Sequence, residues 1–428
     1  MSLKNSFYKS LSDLISINSE LSAPKENMPF GEGPYKALNC FLNIAKEMGF
    51  NTINYDNYAG EIYFGKGEEI GIIGHLDIVP AGFGWNTDPF TLTEIDGTFY
   101  GRGMEDDKAP LLLCLYALNE LKNSGIKFNS KIRLFVGCNE ETGWQDVEYL
   151  KTKTKLPEYG FSPDGDFPLS YAEKGIFYAN FNIEKLKNFT IVKSGSAINA
   201  VCAYAEAKVK ESLFEKISKQ EFINLCNKHK VVYQDNIVKS YGKSAHGSAP
   251  QKGINAIKIL FELFNDCGEN VSDVIDCLFN DKFKVFELDT PQGNVTFSPN
   301  LIEETKTGIL IKCDCRLPYP LTENNLRGKF DKFNLPYTLT EKHPPFCTSK
   351  DSKLVKSLIS AYNSVTGEKA KPVAIGGSTF SRAFDKGCAF GPYMQGFGGA
   401  HVANEYATRE VLEKTYKIYL QAIKNLIQ

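Results

Sequence analysis

Apolar and polar residues alternate along this chain in two textures, and each texture predicts its own kind of domain. Over residues 1–186, short β-branched runs are separated by longer stretches of helical period, a pattern of strands joined by crossover helices. The clearest strands are expected at residues 70–75 and 131–138, each running into a polar or glycine-rich turn. Between them the spacing predicts a helix from near Asp107 to Leu121, with Pro110 in the first turn, where a missing N–H costs little. Over residues 187–343, amphipathic helices at 215–227 and 255–266 sit among alternating strands such as 308–316, so this part reads as a separate α+β domain. After Pro344 and Pro345 the first texture returns, with a helix from Lys353 to Gly367, a strand at 372–375 and a glycine-rich turn. The expected organisation is a catalytic α/β domain in two parts, 1–186 and 344–428, interrupted by an inserted domain over 187–343.

Composition narrows the function. The 428 residues, 42% hydrophobic and 23% charged, are those of an ordinary folded protein. With 49 Lys and Arg against 51 Asp and Glu there is no basic footprint for nucleic acid or an acidic membrane surface. The longest apolar stretch, near 111–118, is far short of the ~18–20 residues of a membrane span. The polar start of the chain has no signal-peptide apolar region, which predicts a cytoplasmic protein. Eleven cysteines without a Cys-x-x-Cys pair read as reduced thiols rather than a zinc-thiolate site. No phosphate loop of the G-x-x-x-x-G-K-[ST] form and no internal repeat is present.

Three of the five histidines, His75, His246 and His401, lie in or beside glycine-containing turns. His75 closes the apolar run 70–74, and Asp77 two residues on would project to the same side of an extended chain, suiting a metal-bound imidazole oriented by a carboxylate. Asp106 and Asp107 enter the predicted helix, Glu140 and Glu141 follow the second strand, and Asp164 sits in a further turn. Each also has a plain structural reading: a strand-end histidine, helix capping, a solvated turn. Their common placement raises them above it, because parallel α/β sheets bind ligands at the carboxyl ends of their strands. A mixture of imidazole and carboxylate donors suits Zn²⁺, Mn²⁺ or Co²⁺, and a central carboxylate can bridge two ions about 3.5–4 Å apart.

The motifs GHLDIVP (74–80), GRGMEDDK (101–108), NEETG (139–143), SPD (162–164), AHGS (245–248), GGST (376–379) and HVANE (401–405) occur in one order over nearly the whole chain. In order and spacing they resemble the di-metal exopeptidase family of acetylornithine deacetylase, succinyl-diaminopimelate desuccinylase, aminoacylase and glutamate carboxypeptidase. Gly84-Trp85, Asp88-Pro89-Phe90, Trp144, FSPD (161–164) and EKG (173–175) are most similar to its bacterial cytosolic dipeptidase branch, the Xaa-His dipeptidase-like enzymes. The resemblance implies a zinc-exopeptidase-like catalytic domain with a mixed, largely parallel sheet, plus an α+β, ferredoxin-like lid. It implies two divalent metal ions, zinc first and manganese or cobalt as alternatives. Asp106 would bridge them, Glu141 and His401 completing one shell and His75 and Asp164 the other, and a cis peptide bond would follow Asp106. Asp77 would orient His75, and Glu140 would be the general base. His246 would donate to the oxyanion and Arg316 would grip the substrate carboxylate. Asn199 matches a substrate or oxyanion contact, although the residues after it, Cys202 and Ala203, depart from the family's Pro and Asp. His229 and His343 match no family position.

The implied activity is hydrolysis of dipeptides. A deacylase of N-acyl amino acids shares the same metals and base, and a non-catalytic peptide-binding relative is disfavoured by the intact ligand set. The length of the middle segment implies a monomer, with a homodimer as the alternative, and the only partner expected is a small peptide substrate, with no nucleic acid and no membrane.

Overall fold

The computed structural model describes residues 3–428, so the first two residues of the polar amino-terminal stretch lie outside it. The chain divides into two compact units, one formed by the chain up to Tyr171 with Cys347–Val373 and Thr379–Gln428, the other by Ala172–Phe346 with Ala374–Ser378. The first crossover therefore comes earlier than residue 187. Strand Gly175–Glu184 pairs with Gly308–Leu317 and Tyr337–His343, and its alternating buried positions belong to the core of the second unit.

In unit 1 the sheet runs Asn51–Tyr55, Ala59–Gly65, Ser130–Gly137, Glu68–His75, Tyr159–Ser162, Lys386–Ala389. The last four of these strands are mutually parallel; Ala59–Gly65 pairs antiparallel with Asn51–Tyr55 on one side and with Ser130–Gly137 on the other, so the sheet is mixed. Ile70 to His75 are all buried, as a central parallel strand covered on both faces requires. The register sets His75 beside Gly137 and Ile72 beside Phe161, so the loops leaving these three strands emerge at one edge.

Helix Lys108–Asn123 is buried almost all round, including Leu111 to Leu115, and packs against the carboxy-terminal helix Arg409–Ile427. The latter starts where Thr408 Oγ1 accepts from the Val411 N–H. A small antiparallel sheet of Thr93–Ile95, Thr98–Tyr100, Tyr406–Thr408 and Phe397–Gly398 joins the segment leading to Asp106 to the hairpin carrying His401. No helix among the described residues is long and apolar enough to cross a membrane.

Unit 2 is α+β, with two four-stranded antiparallel sheets. Its helix expected at 215–227 begins only at Lys219, because Ser218 Oγ accepts from the Glu221 N–H and starts the helix there. Helix Ala256–Asp266 is likewise capped by Asn255.

Candidate active site

Three parallel strands and the small sheet deliver a cluster of imidazoles and carboxylates within unit 1. Asp106 lies at its centre: Oδ1 is 2.9 Å from His75 Nε2 and Oδ2 is 2.9 Å from His401 Nε2. Glu141 Oε1 is 3.2 Å from the same His401 nitrogen, and Asp164 Oδ2 is 3.9 Å from His75 Nε2. The donors thus fall into two groups, His75 with Asp164 and His401 with Glu141, each facing one oxygen of Asp106.

Burial and the crowding of carboxylates around two imidazoles shift the protonation of both kinds of group. Burial alone would push the His75 imidazole down, but the Asp106 and Asp77 carboxylates hold it well above its ordinary value. Hydrogen bonds to Asp106 and Glu141 push His401 up to about 10. Burial, then repulsion from Asp106, pushes Asp164 up to about 7, and burial raises Glu140 well above the carboxylate range. Protons therefore supply the positive charge that crowded carboxylates demand. Divalent ions binding neutral imidazoles and ionised carboxylates would displace those protons, so the donor set fits such ions.

Asp77 sets the positions of both glutamates. Its Oδ1 accepts from the Glu140 N–H and its Oδ2 from the Glu141 N–H, each at 3.1 Å. His75 Nδ1 in turn lies 3.0 Å from the Asp77 carbonyl oxygen and 3.4 Å from Oδ1. The imidazole is thus held mainly by the Asp77 main chain, because the carboxylate is drawn to the glutamate loop. At the far end of that loop, Asp146 Oδ2 accepts from the N–H groups of Cys138 and Asn139 at 2.7 and 2.8 Å. Trp144 Nε1 donates to Glu140 Oε1 at 3.2 Å, fixing one oxygen of that carboxylate.

Asp107, next to a cis peptide bond with Asp106, does not cap its helix. Its Oδ2 accepts from the His75 N–H at 3.1 Å, an approach open only because Gly74 has no side chain to collide with it. The loop carrying Asp106 is gathered by Glu405, which is fully buried. Its carboxylate pairs with Arg102 Nη1 at 2.6 Å and accepts from the N–H groups of Gly103, Glu105 and Asp106 at 2.7–3.1 Å. Arg102, Glu405 and Asp146 carry no role in the sequence reading, and Trp144 enters it only as a mark of the dipeptidase branch. Three of them stand inside or beside motifs read for their metal ligands, and that proximity is the signal they left.

The remaining candidates lie in unit 2, where the fold brings them to one place. Asn199 O accepts from the Gly247 N–H at 2.7 Å, and Ala200 forms a β-bridge with His246. His246 Nδ1 pairs with Ser248 Oγ at 2.7 Å, which leaves Nε2 as its outward nitrogen. Burial, then the Arg316 guanidinium nearby, pushes His246 below its usual value, favouring the neutral ring. Arg316 is buried, and its Nε and Nη2 donate to the two oxygens of Asp314 at 2.7 and 2.8 Å. That edge of the fork is already occupied, because residues two apart on one strand share a face. His229, which matched no motif, lies 2.8 Å from Asp266 Oδ2, within hydrogen-bond distance.

Comparison with known proteins agrees with this architecture. The profile described as Peptidase family M20/M25/M40 matches residues 71–425. The chain is 33% identical over 457 residues to the Beta-Ala-Xaa dipeptidase of Lactobacillus delbrueckii subsp. lactis, covering 99% of this chain and 96% of that protein. Among solved structures, aminoacylhistidine dipeptidase from Vibrio alginolyticus superposes with a TM-score of 0.59 at 11% identity, over 99% of this chain and 96% of that one. A dinuclear metal-binding peptidase of Bacillus subtilis superposes with a TM-score of 0.55 at 9% identity, over 99% of this chain and all (100%) of that one. With a family match over most of its length and a full-length relative at this identity, the chain belongs to peptidase family M20/M25/M40 and is a hydrolase of peptide bonds.

Proposed function

We propose that this protein is a metal-dependent dipeptidase whose two ions, zinc first and manganese or cobalt as alternatives, are held by His75, Asp106, Glu141, Asp164 and His401. The observation that carries this reading is Asp106, with each carboxylate oxygen turned to a different imidazole and a further carboxylate on either side. Bound there, the ions would polarise the scissile carbonyl and lower the pKa of the attacking water. Glu140 takes the proton from that water and returns it to the leaving amine. Its Oε1 is tied to the Trp144 indole, so Oε2 is the oxygen that exchanges the proton. Asp77 keeps Glu140 and Glu141 in their places through their main-chain N–H groups.

His246 Nε2 is proposed as the donor to the oxyanion, and the side of Arg316 not taken by Asp314 as the group that receives the free carboxylate of the substrate, with Asn199 as a further contact. The full-length relative named as a dipeptidase supports a dipeptide substrate. We read the protein as a cytoplasmic monomer acting on small peptides. The test is hydrolysis by the metal-loaded protein of a dipeptide panel against an N-acetyl amino acid panel, with and without chelator. Cleavage of dipeptides that chelator abolishes and divalent zinc, manganese or cobalt restores is expected. Cleavage confined to the N-acetyl panel would make the protein a deacylase, and full activity after rigorous metal removal would end the metal reading.

A further inference from the structure

A dipeptide differs from an N-acyl amino acid in one respect that an enzyme can read strongly: its acyl side carries a free ammonium. The ammonium nitrogen is two bonds from the scissile carbonyl carbon, about 2.5 Å away. Whatever receives it must border the groups that hold the carbonyl. Unit 1 has a cavity of about 200 Å³ that borders the cluster, lined by Asp106 and Asp164. Its lining also includes Glu105, Asp166 and Tyr393.

The chemistry of this cavity is one-sided. Four carboxylates line it, and no lysine or arginine does. Asp106 and Asp164 belong to the metal cluster, which leaves two to account for. Glu105 is only 7% exposed. Its Oε2 accepts from the Ala400 N–H at 3.0 Å, while Oε1 has no hydrogen-bond partner among the described residues. A buried carboxylate with one idle oxygen on a cavity wall is costly unless a donor fills the cavity. Asp166 likewise makes no ion pair or side-chain hydrogen bond among the described residues, yet its backbone is firmly placed. Phe167 N–H donates to the Tyr393 carbonyl at 3.1 Å, and Tyr393 N–H donates to the Gly165 carbonyl at 3.0 Å. Residues 165–167 are thus tied to Tyr393, which also lines the cavity.

Resting on the dipeptidase reading, we propose that this cavity is the subsite for the substrate's free amino group, with Glu105 and Asp166 as the carboxylates that receive the ammonium. An ammonium has three N–H donors and one positive charge, which matches the idle oxygen of Glu105, the unpaired carboxylate of Asp166 and the missing cation. Fixing the ammonium one carbon from the carbonyl also fixes the carbonyl against Asp106 and Asp164. The same subsite rejects N-acyl amino acids, because an apolar acyl group would leave both carboxylates desolvated and unpaired.

The test compares alanyl-alanine with propionyl-alanine, which lacks only the amino group, in the metal-loaded full chain. The unmutated protein should prefer the dipeptide in kcat/KM by at least about 100-fold. Asp166→Asn and Glu105→Gln should each cut that ratio about tenfold or more, mainly by raising KM for the dipeptide, with metal content measured alongside. Because Glu105 adjoins Asp106, a Glu105→Gln protein that loses metal leaves the decision to Asp166→Asn, whose side chain is exposed enough to change without unfolding the chain. Similar rates on both compounds in the unmutated protein, or an unchanged ratio in Asp166→Asn, would overturn the subsite while leaving the peptidase reading in place. Failure to cleave either compound would instead overturn the dipeptidase reading and the subsite with it.

Discussion

The cluster around Asp106 in unit 1 and the cluster around Arg316 in unit 2 solve the problem of burying charge in opposite ways. In unit 1, five donors come from five separate segments, and carboxylates outnumber imidazoles, so the group is incomplete without added positive charge. In unit 2 one cation and one anion, two residues apart on strand Gly308–Leu317, neutralise each other with both carboxylate oxygens used. The first arrangement is poised to take ions. The second is a finished pair that holds a guanidinium rigidly, with one side left over. Self-sufficiency in unit 2 and deficiency in unit 1 predict different outcomes when each is cut.

The largest effect is expected at the centre of unit 1. Asp106→Ala removes the only carboxylate facing both imidazoles, so turnover should vanish and bound metal, measured by elemental analysis, should fall below two ions per chain at any metal concentration offered. Glu140→Gln should separate chemistry from binding. An amide cannot accept the water's proton, so kcat should fall about 10²- to 10⁴-fold with metal content unchanged. If this variant lost its metals instead, Glu140 would be a ligand and its role would pass to Glu141.

Cuts in unit 2 should be milder and should leave the metals in place. His246→Ala is expected to lower kcat about 10²- to 10³-fold on every substrate, the size of losing one oxyanion donor. Arg316→Ala should instead erase discrimination: the unmutated protein should cleave a dipeptide faster than its C-terminal amide, and the variant should cut the two at nearly equal rates, for a loss of about 2–5 kcal/mol. Equal rates in the unmutated protein would remove the carboxylate grip from Arg316. Asp314→Ala sharpens the contrast further. It leaves a buried guanidinium unpaired and should cost unit 2 about 3–5 kcal/mol in denaturant unfolding.

Much of this was legible in the chain because the information is local. Apolar runs buried on both faces gave the central strands Glu68–His75 and Ser130–Gly137 to within two residues. Serine and asparagine caps are a weaker signal than apolar periodicity, and the Ser218 cap starts its helix four residues later than the apolar pattern alone predicts. The boundary near residue 172 was not legible, since strand Gly175–Glu184 alternates as any half-buried strand does, and only its partners show which core it joins.

By residue type and order the sequence determined that His75, Asp106, Glu141, Asp164 and His401 stand at the ends of secondary-structure elements, with Glu140 beside them. What only the tertiary structure decided is which atoms meet. Glu405 gathers the Asp106 loop from about 300 positions away, Asp77 turns its carboxylate to the glutamate loop rather than to the imidazole beside it, and Asp314 claims the fork of Arg316. Each of these is a competition among hydrogen-bond donors for a few buried oxygens. Its outcome depends on which N–H groups the folded backbone brings within about 3 Å, a distance that sequence spacing alone does not contain.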